Sequence, residues 1–120
     1  LKKLPSMIKA RQSIAHYFSQ QFSSTGLMLP SVPQGYEHVF FRYVARVPRG
    51  LTALLEELNK NGINARRPIF KPLHHYIKSK PCPVSDHAHK ICLSLPIYPS
   101  LTSKEMGQIV QQVIKAKKSG

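Results

Sequence analysis

The chain has 120 residues, 42% of them hydrophobic, which suits one domain with one hydrophobic core and is too short for two. Its two cysteines are too few for a disulfide scaffold, and no apolar run approaches the roughly 18 residues of a membrane-spanning helix, so we expect a cytoplasmic protein without a membrane segment. Eighteen Lys and Arg face five Asp and Glu, and this net charge of +13 predicts an acidic ligand or partner, which could be nucleic acid, an anionic small molecule or an acidic protein domain.

The first half of the chain predicts a helix, a loop, a strand and a second helix. Apolar residues three and four apart predict an amphipathic helix over residues 5–22, and glycines and prolines make residues 23–35 a loop. Alternation along residues 38–47 predicts a half-buried strand. The leucines of residues 51–58 then form the stripe of a second helix, which an Asn-Gly pair at residues 61–62 closes.

The second half of the chain predicts shorter elements. A short strand over residues 63–66 leads into a loop that contains two prolines, and a helical turn is expected within residues 74–80. Ser85 or Asp86 can cap a short helix, and a brief buried strand follows over residues 93–95.

The last helix has the clearest start signal in the chain. Thr102 and Glu105 are spaced as a capping box, and Leu101 and Met106 are placed to pack across it. Helices are thus the only predicted elements that could pack on a face of a small sheet. We therefore predict an α+β two-layer architecture, with residues 1–120 as a single domain.

Residues 66–74 predict an anion-binding loop. They combine three cations, an aromatic ring and an imidazole, namely Arg66, Arg67, Lys71, Phe70 and His74. Pro68 and Pro72 fix their own φ and hold the residues before them extended, so the loop has less chain entropy to lose on binding. The mixture suits a sugar or nucleotide phosphate. The alternative is a solvated charge cluster, which is the usual fate of such runs.

Other kinds of site find less support. Zinc-type ligands occur at Cys82, His87, His89 and Cys92. Their spacing lacks a CxxC or HxxxH pair, so we expect no metal site and regard the histidines as surface groups. No serine has an activating context and no glycine cluster forms a phosphate loop. We expect His75 and Tyr76 to pack or hydrogen-bond locally.

Several of these stretches occur together in one known family. The strand of residues 38–47, the helix that ends at residues 61–62, the R-P-x-aromatic-K-P-x-H stretch of residues 67–74 and the L-S-L-P of residues 93–96 stand in the family's order and spacing. By these motifs, which cover most of its length, the chain resembles the C-terminal domain of the DegT/DnrJ/EryC/StrS sugar aminotransferases.

The resemblance implies a fold and a reaction. The fold would be the small domain of a fold type I aminotransferase, with a small, largely antiparallel sheet covered by helices. The complete enzyme would use pyridoxal phosphate to transfer an amino group, usually from glutamate, to a keto sugar that is often linked to a nucleoside diphosphate. The Schiff-base lysine and its carboxylate partner belong to the family's large N-terminal domain, so this chain would carry no catalytic or cofactor-binding residue and would be inactive alone.

The resemblance also assigns substrate contacts and partners. Arg67, Phe70, Lys71 and His74 would line the substrate side of the cleft, with the cations at the phosphate and His74 at the sugar. The start at Leu1 rather than Met indicates a fragment of a larger protein, and the helix of residues 5–22 would link to a missing large domain, in an enzyme that acts as a homodimer. The family often has Leu-Gln-Pro after the histidine, where this chain has residues 75–77 as His-Tyr-Ile.

A rival hypothesis is a free-standing basic module that binds nucleic acid. Its support is the charge alone. The sequence has no interleaved aromatic platform and no recognisable RNA or DNA motif, so we consider nucleic-acid binding the weaker alternative.

Overall fold

Four helices and two strands succeed each other along the described residues, which are 4–69, 71–77 and 80–119 of the computed structural model. In chain order the elements are α1 (Leu4–Gln21), β1 (Tyr43–Arg46), α2 (Leu51–Lys60), a 3-10 turn (Leu73–His75), α3 (Pro83–Ile91), β2 (Cys92–Leu95) and α4 (Ser103–Ser119). The mixed α+β class that the sequence predicts is therefore confirmed. No helix in this part of the chain is long and apolar enough to cross a membrane.

The sheet is smaller than the sequence predicts. Strands β1 and β2 pair antiparallel, and isolated bridges extend the ladder on both sides, from Met28 to Arg46 and from Arg66 to Ser94. The strand expected over residues 63–66 is thus wrong in extent, because only Arg66 among these residues makes ladder hydrogen bonds. Its N–H donates to the Ser94 carbonyl oxygen at 3.2 Å, and the Ser94 N–H donates to its carbonyl oxygen at 2.7 Å.

The strand expected over residues 38–47 is too long at its start. Its last inward positions are buried as the alternation requires, namely Tyr43, Ala45 and Val47. Val39 and Phe41 continue the same alternation but are 49% and 66% exposed. There are two causes. No residue of β2 pairs with a residue before Tyr43, and Phe40 has a φ of 50°, which ends the extended conformation.

Aromatic rings from α1 and β1 form the centre of the core. Phe18 is fully buried, with its ring centroid 5.6 Å from that of Phe22 and 5.3 Å, edge to face, from that of Tyr43. The hydroxyl of Tyr43 lies 2.9 Å from that of Ser19, so the buried polar group is satisfied, and burial raises the pKa of Tyr43. The leucines of α2 and the apolar stripe of α4 complete this core.

Of the two predicted helix caps, the one at α4 is present and the one at α3 is not. The capping box of α4 is confirmed: Thr102 Oγ1 accepts from the Glu105 N–H at 3.1 Å, and Glu105 Oε1 accepts from the Thr102 N–H at 3.0 Å. The cap expected at Ser85 or Asp86 is wrong, since α3 already begins at Pro83. Proline suits the first helical position because the N–H that it lacks would have no helical partner there.

Helix α1 is only partly covered. Its second half is buried against the core, whereas Leu4 and Met7 in its first two turns are 52% and 39% exposed. Exposed apolar surface on the first helix is what the sequence predicts if another domain packs there.

Candidate functional site

The cationic loop of residues 66–74 begins at the edge of the sheet. Arg66 pairs with Ser94 of β2 through its backbone, while its guanidinium donates to Asn64 Oδ1 at 2.9 Å. Pro72, later in the loop, is buried and has φ −58° and ψ 145°, the extended conformation that the proline pattern predicts. The loop is therefore fixed by backbone pairing at one end and by a buried proline near the other.

Arg67 is held between two helices. Its Nε donates to the carbonyl oxygen of His89 at 3.0 Å, and its Nη2 donates to Thr52 Oγ1 at 3.2 Å. A guanidinium has five N–H donors, so these two bonds leave others free for a ligand. Arg67 is half-buried, and these protein contacts fix its position before any ligand arrives.

A cleft of about 520 Å³ lies beside the start of this loop. Three guanidinium side chains line it, those of Arg42, Arg66 and Arg67, and buried Leu55 and Ala65 are among its apolar lining. We call it the arginine cleft. None of its lining residues is a carboxylate in the described part of the chain, so its field is positive and suits an anion.

Arg42 was not among the site residues that the sequence predicts. It stands immediately before β1, and its Nη1 donates to the carbonyl oxygen of Pro68, which ties the loop to the sheet. The available signal was its position, since Arg42 alternates with the apolar residues of the predicted strand. Nothing in its sequence neighbourhood indicates that it meets residues 66–68.

His74 lies at the far end of the loop from the arginine cleft. Its Nε2 is 2.9 Å from Asp86 Oδ1, and the Nε2 of His75 is 2.5 Å from the same oxygen. The hydrogen bond from His75, followed by the contacts of His74, lowers the pKa of Asp86 and keeps the carboxylate ionised. The sequence predicts a local contact for His75, and this is wrong, because its ring hydrogen-bonds to Asp86 of α3.

The remaining predicted contacts are placed as follows. Lys71 is exposed, with its Nζ 5.0 Å from the ring centroid of Tyr76, a cation–π contact. Phe70 lies outside the described residues. Of the predicted substrate-binding residues, the structure places Arg67 in the arginine cleft, and it places Lys71 and His74 farther along the loop.

The zinc-type residues do not assemble as a set. Within the described ranges, the histidine and carboxylate ligand atoms that cluster belong to His74, His75 and Asp86, and Cys82 and Cys92 are free thiols outside that cluster. Cys82 instead precedes the first residue of α3, and Cys92 is the first residue of β2.

Comparison with protein families places the chain among aminotransferases. The model of the DegT/DnrJ/EryC1/StrS aminotransferase family matches residues 1–114. The UDP-N-acetyl-3-dehydro-alpha-D-glucosamine 3-aminotransferase of Acidithiobacillus ferrooxidans is 27% identical to it over 107 residues, which cover 82% of this chain and 28% of that protein. The dTDP-3-amino-3,4,6-trideoxy-alpha-D-glucose transaminase of Micromonospora megalomicea is 29% identical over 126 residues, covering 94% of this chain and 33% of that protein.

A solved structure has a similar fold. The aminotransferase TlmJ from Streptoalloteichus hindustanus superposes with a TM-score of 0.90 at 22% identity, over 98% of this chain and 34% of that one. The chain spans about a third of the length of these curated relatives and of this structure.

Proposed function

Because the chain belongs to the DegT/DnrJ/EryC1/StrS aminotransferase family, we propose that it is the C-terminal small domain of a sugar aminotransferase. The observation that carries this proposal is the family match over residues 1–114. A chain that spans about a third of its relatives leaves room in such an enzyme for a large domain, to which the exposed start of α1 would attach. The complete enzyme would act as a homodimer.

The names of two relatives and the charge of the arginine cleft support the proposed substrate class. Two relatives carry names of aminotransferases for UDP-linked and dTDP-linked sugars. The arginine cleft supplies what a diphosphate needs, which is several fixed guanidinium donors without a competing carboxylate among the lining residues described. We therefore infer that the enzyme transfers an amino group, with glutamate as the donor, to a keto sugar carried by a nucleoside diphosphate.

Within this chain, the proposed substrate contacts are Arg67, Phe70, Lys71 and His74. Arg67 is fixed in the cleft by two protein hydrogen bonds, so it is preorganised for a phosphate. Lys71 is exposed and is placed as a second cation for the ligand. His74 has one ring nitrogen bonded to Asp86, which leaves its other nitrogen for the sugar. We add Arg42 to this set, because its side chain lines the same cleft as Arg67.

The cofactor is assigned elsewhere in the enzyme. Aminotransferases of this family depend on pyridoxal phosphate, which supplies the electron sink for amino transfer when bound. It needs a lysine for the Schiff base and a carboxylate at the pyridine nitrogen. The arginine cleft has neither among its described lining residues, and the carboxylate of Asp86 is bonded to two histidines. These residues do not fit the cofactor, which we assign to the large domain.

The test compares the chain alone with the complete enzyme. Residues 1–120 mixed with pyridoxal phosphate should give no imine absorbance, and borohydride should fix no cofactor on them. The protein encoded by the whole reading frame should transfer the amino group of glutamate to a keto nucleotide sugar. A cofactor locked by borohydride onto a lysine of this chain would overturn the assignment of domains. Absence of amino transfer by the complete enzyme, with a panel of UDP- and dTDP-linked keto sugars, would overturn the assigned reaction.

The nucleic-acid alternative has no support among these relatives. It can still be measured directly, because counterion release makes such binding fall steeply with salt. We expect no binding of duplex or single-stranded nucleic acid to survive physiological salt.

A further inference from the structure

Two imidazoles and one carboxylate converge at the end of the cationic loop. The Nε2 atoms of His74 and His75 lie 2.9 and 2.5 Å from the same oxygen, Oδ1 of Asp86, and the ligand atoms of the three residues all lie within 4.8 Å of one another. The two rings stand edge to face, with centroids 4.4 Å apart. Both nitrogens approach one oxygen instead of using one carboxylate oxygen each. The three side chains therefore converge on one point of the surface, through hydrogen bonds to a shared acceptor.

The backbone holds these ligands in place. Both histidines belong to the 3-10 turn Leu73–His75, which is closed by hydrogen bonds from the His75 N–H to the Pro72 carbonyl and from the Tyr76 N–H to the Leu73 carbonyl, each of 3.0 Å. Asp86 lies in the first turn of α3, where its N–H bonds to the Cys82 carbonyl at 3.0 Å. A ligand set on two ordered turns loses little entropy when a metal binds.

We propose that His74, His75 and Asp86 form a binding site for a divalent transition-metal cation, with Zn²⁺ as the best match. Imidazole nitrogen and carboxylate oxygen are ligands that Zn²⁺ takes at about 2.0–2.2 Å. Ligand atoms around one tetrahedral Zn²⁺ lie roughly 3.3 Å apart, whereas the present separations run from 2.5 Å to at most 4.8 Å, so they must change by up to about 1.5 Å when the cation binds. The side chains are 13%, 36% and 34% exposed, so a cation can enter and a fourth position faces solvent.

The site shares only His74 with the proposed substrate contacts. The arginine cleft is not lined by His75 or Asp86, and no residue of the cleft is needed to hold the cation. His74 appears in both assignments, so the test is run without any sugar nucleotide. Its result then depends on the three ligands alone.

The experiment is a calorimetric titration of the folded 120-residue chain with Zn²⁺ in a buffer without chelator. We expect one equivalent to bind, to be removed by EDTA, and to raise the melting temperature. His75→Asn and Asp86→Asn should each weaken binding by at least about tenfold. His87→Asn is the matched control, because His87 is an exposed histidine on the same helix as Asp86, and it should bind as the wild type does.

Two further measurements keep the result decisive. Circular dichroism checks that each variant folds, and His75→Asn leaves the contact between His74 and Asp86, so it decides if Asp86→Asn does not fold. Co²⁺ reports the ligand type, and we expect tetrahedral visible bands without a thiolate charge-transfer band. Absence of stoichiometric binding, a thiolate band from Cys82 or Cys92, or equal affinity in wild type and His75→Asn would each overturn the proposal.

Discussion

Arg67 Nε donates a hydrogen bond of 3.0 Å to the carbonyl oxygen of His89 in the last turn of α3. Carbonyls in the last turn of a helix lack helical partners, and the helix dipole favours a cation there. The same guanidinium reaches Thr52 at the start of α2. Three residues before His89, Asp86 bonds to His74, so the two ends of the loop are held on one helix about one turn apart.

Replacing Arg67 by Lys should destabilise the fold although the charge is kept. A lysine ammonium on a flexible stem does not reproduce the two fixed bonds to His89 and Thr52. We expect the free energy of unfolding to fall by about 1–3 kcal/mol, measured by urea denaturation. Arg49→Lys, at an exposed position in the turn before α2, is the control and should stay within about 0.5 kcal/mol of wild type. Equal losses in the two variants would contradict the role of Arg67.

Removing the Thr102 hydroxyl should cost stability at the start of α4. Thr102 Oγ1 accepts from the Glu105 N–H, which otherwise has no helical partner. We expect Thr102→Ala to lower the free energy of unfolding by about 1 kcal/mol in chemical denaturation. Ser103→Ala removes a neighbouring exposed hydroxyl that is not at the capping position, and it should change little. If Ser103→Ala costs as much as Thr102→Ala, the capping box is not the cause.

The same capping box should make stability depend on pH in the acid range. The N–H of Thr102, then its hydroxyl, then the Tyr98 hydroxyl lower the pKa of Glu105 below its usual 4.5. The unfolded chain therefore binds this proton more tightly, so the contribution is complete above the usual pKa and is lost as the pH falls through the lowered one. The difference in unfolding free energy between wild type and Glu105→Gln should shrink on acidification. A difference that stays constant from neutral to acid pH would show that the carboxylate charge does not matter.

Local sequence patterns predicted the helices and the buried strand of residues 93–95, which is β2, but they overestimated the extent of the other strands. The leucine stripe of α2 and the capping box of α4 depend on residues three and four apart, so a short window contains the whole signal. Strand pairing depends on residues far apart in the chain. Residues 38–42 have an alternating pattern but no partner strand, and at residues 63–66 a single bridge replaces the expected strand.

The candidate site was predictable only where it is continuous in sequence. The cations and prolines of residues 66–74 stand together, so the sequence indicates a stiff cationic loop. Arg42 and His89 lie 26 and 22 residues from the loop residues that they contact, and Asp86 lies 12 residues from His74, so only the fold brings them to the loop. The same separation explains why the sequence did not indicate His74, His75 and Asp86 as a set of metal ligands.

Phe18 and Phe41 provide a direct test of the strand boundary. The helix pattern and the strand pattern both predict burial, yet Phe18 is fully buried and Phe41 is 66% exposed. Phe18→Ala should lower the free energy of unfolding by about 3–5 kcal/mol, because it leaves a cavity among packed rings. Phe41→Ala should cost no more than about 1 kcal/mol, since its ring is mostly exposed and the substitution loses cation–π contacts to Arg11 and Arg42. Similar losses in urea denaturation would place Phe41 in the core and contradict the boundary at Tyr43.

Lys71 should contribute to substrate binding in the complete enzyme and little to the chemical step. Its exposed ammonium is positioned by the ring of Tyr76, and a phosphate that it holds is present both in the bound substrate and in the transition state. Lys71→Ala should therefore raise KM for the nucleotide sugar about tenfold, near 1.4 kcal/mol of binding, with kcat almost unchanged. The increase should become smaller at high ionic strength, because salt screens an exposed charge. Lys104→Ala, at an exposed position at the start of α4, removes an equal charge far from the loop in sequence and should leave KM unaltered. A lower kcat at constant KM, or equal effects of the two variants, would contradict a phosphate contact by Lys71.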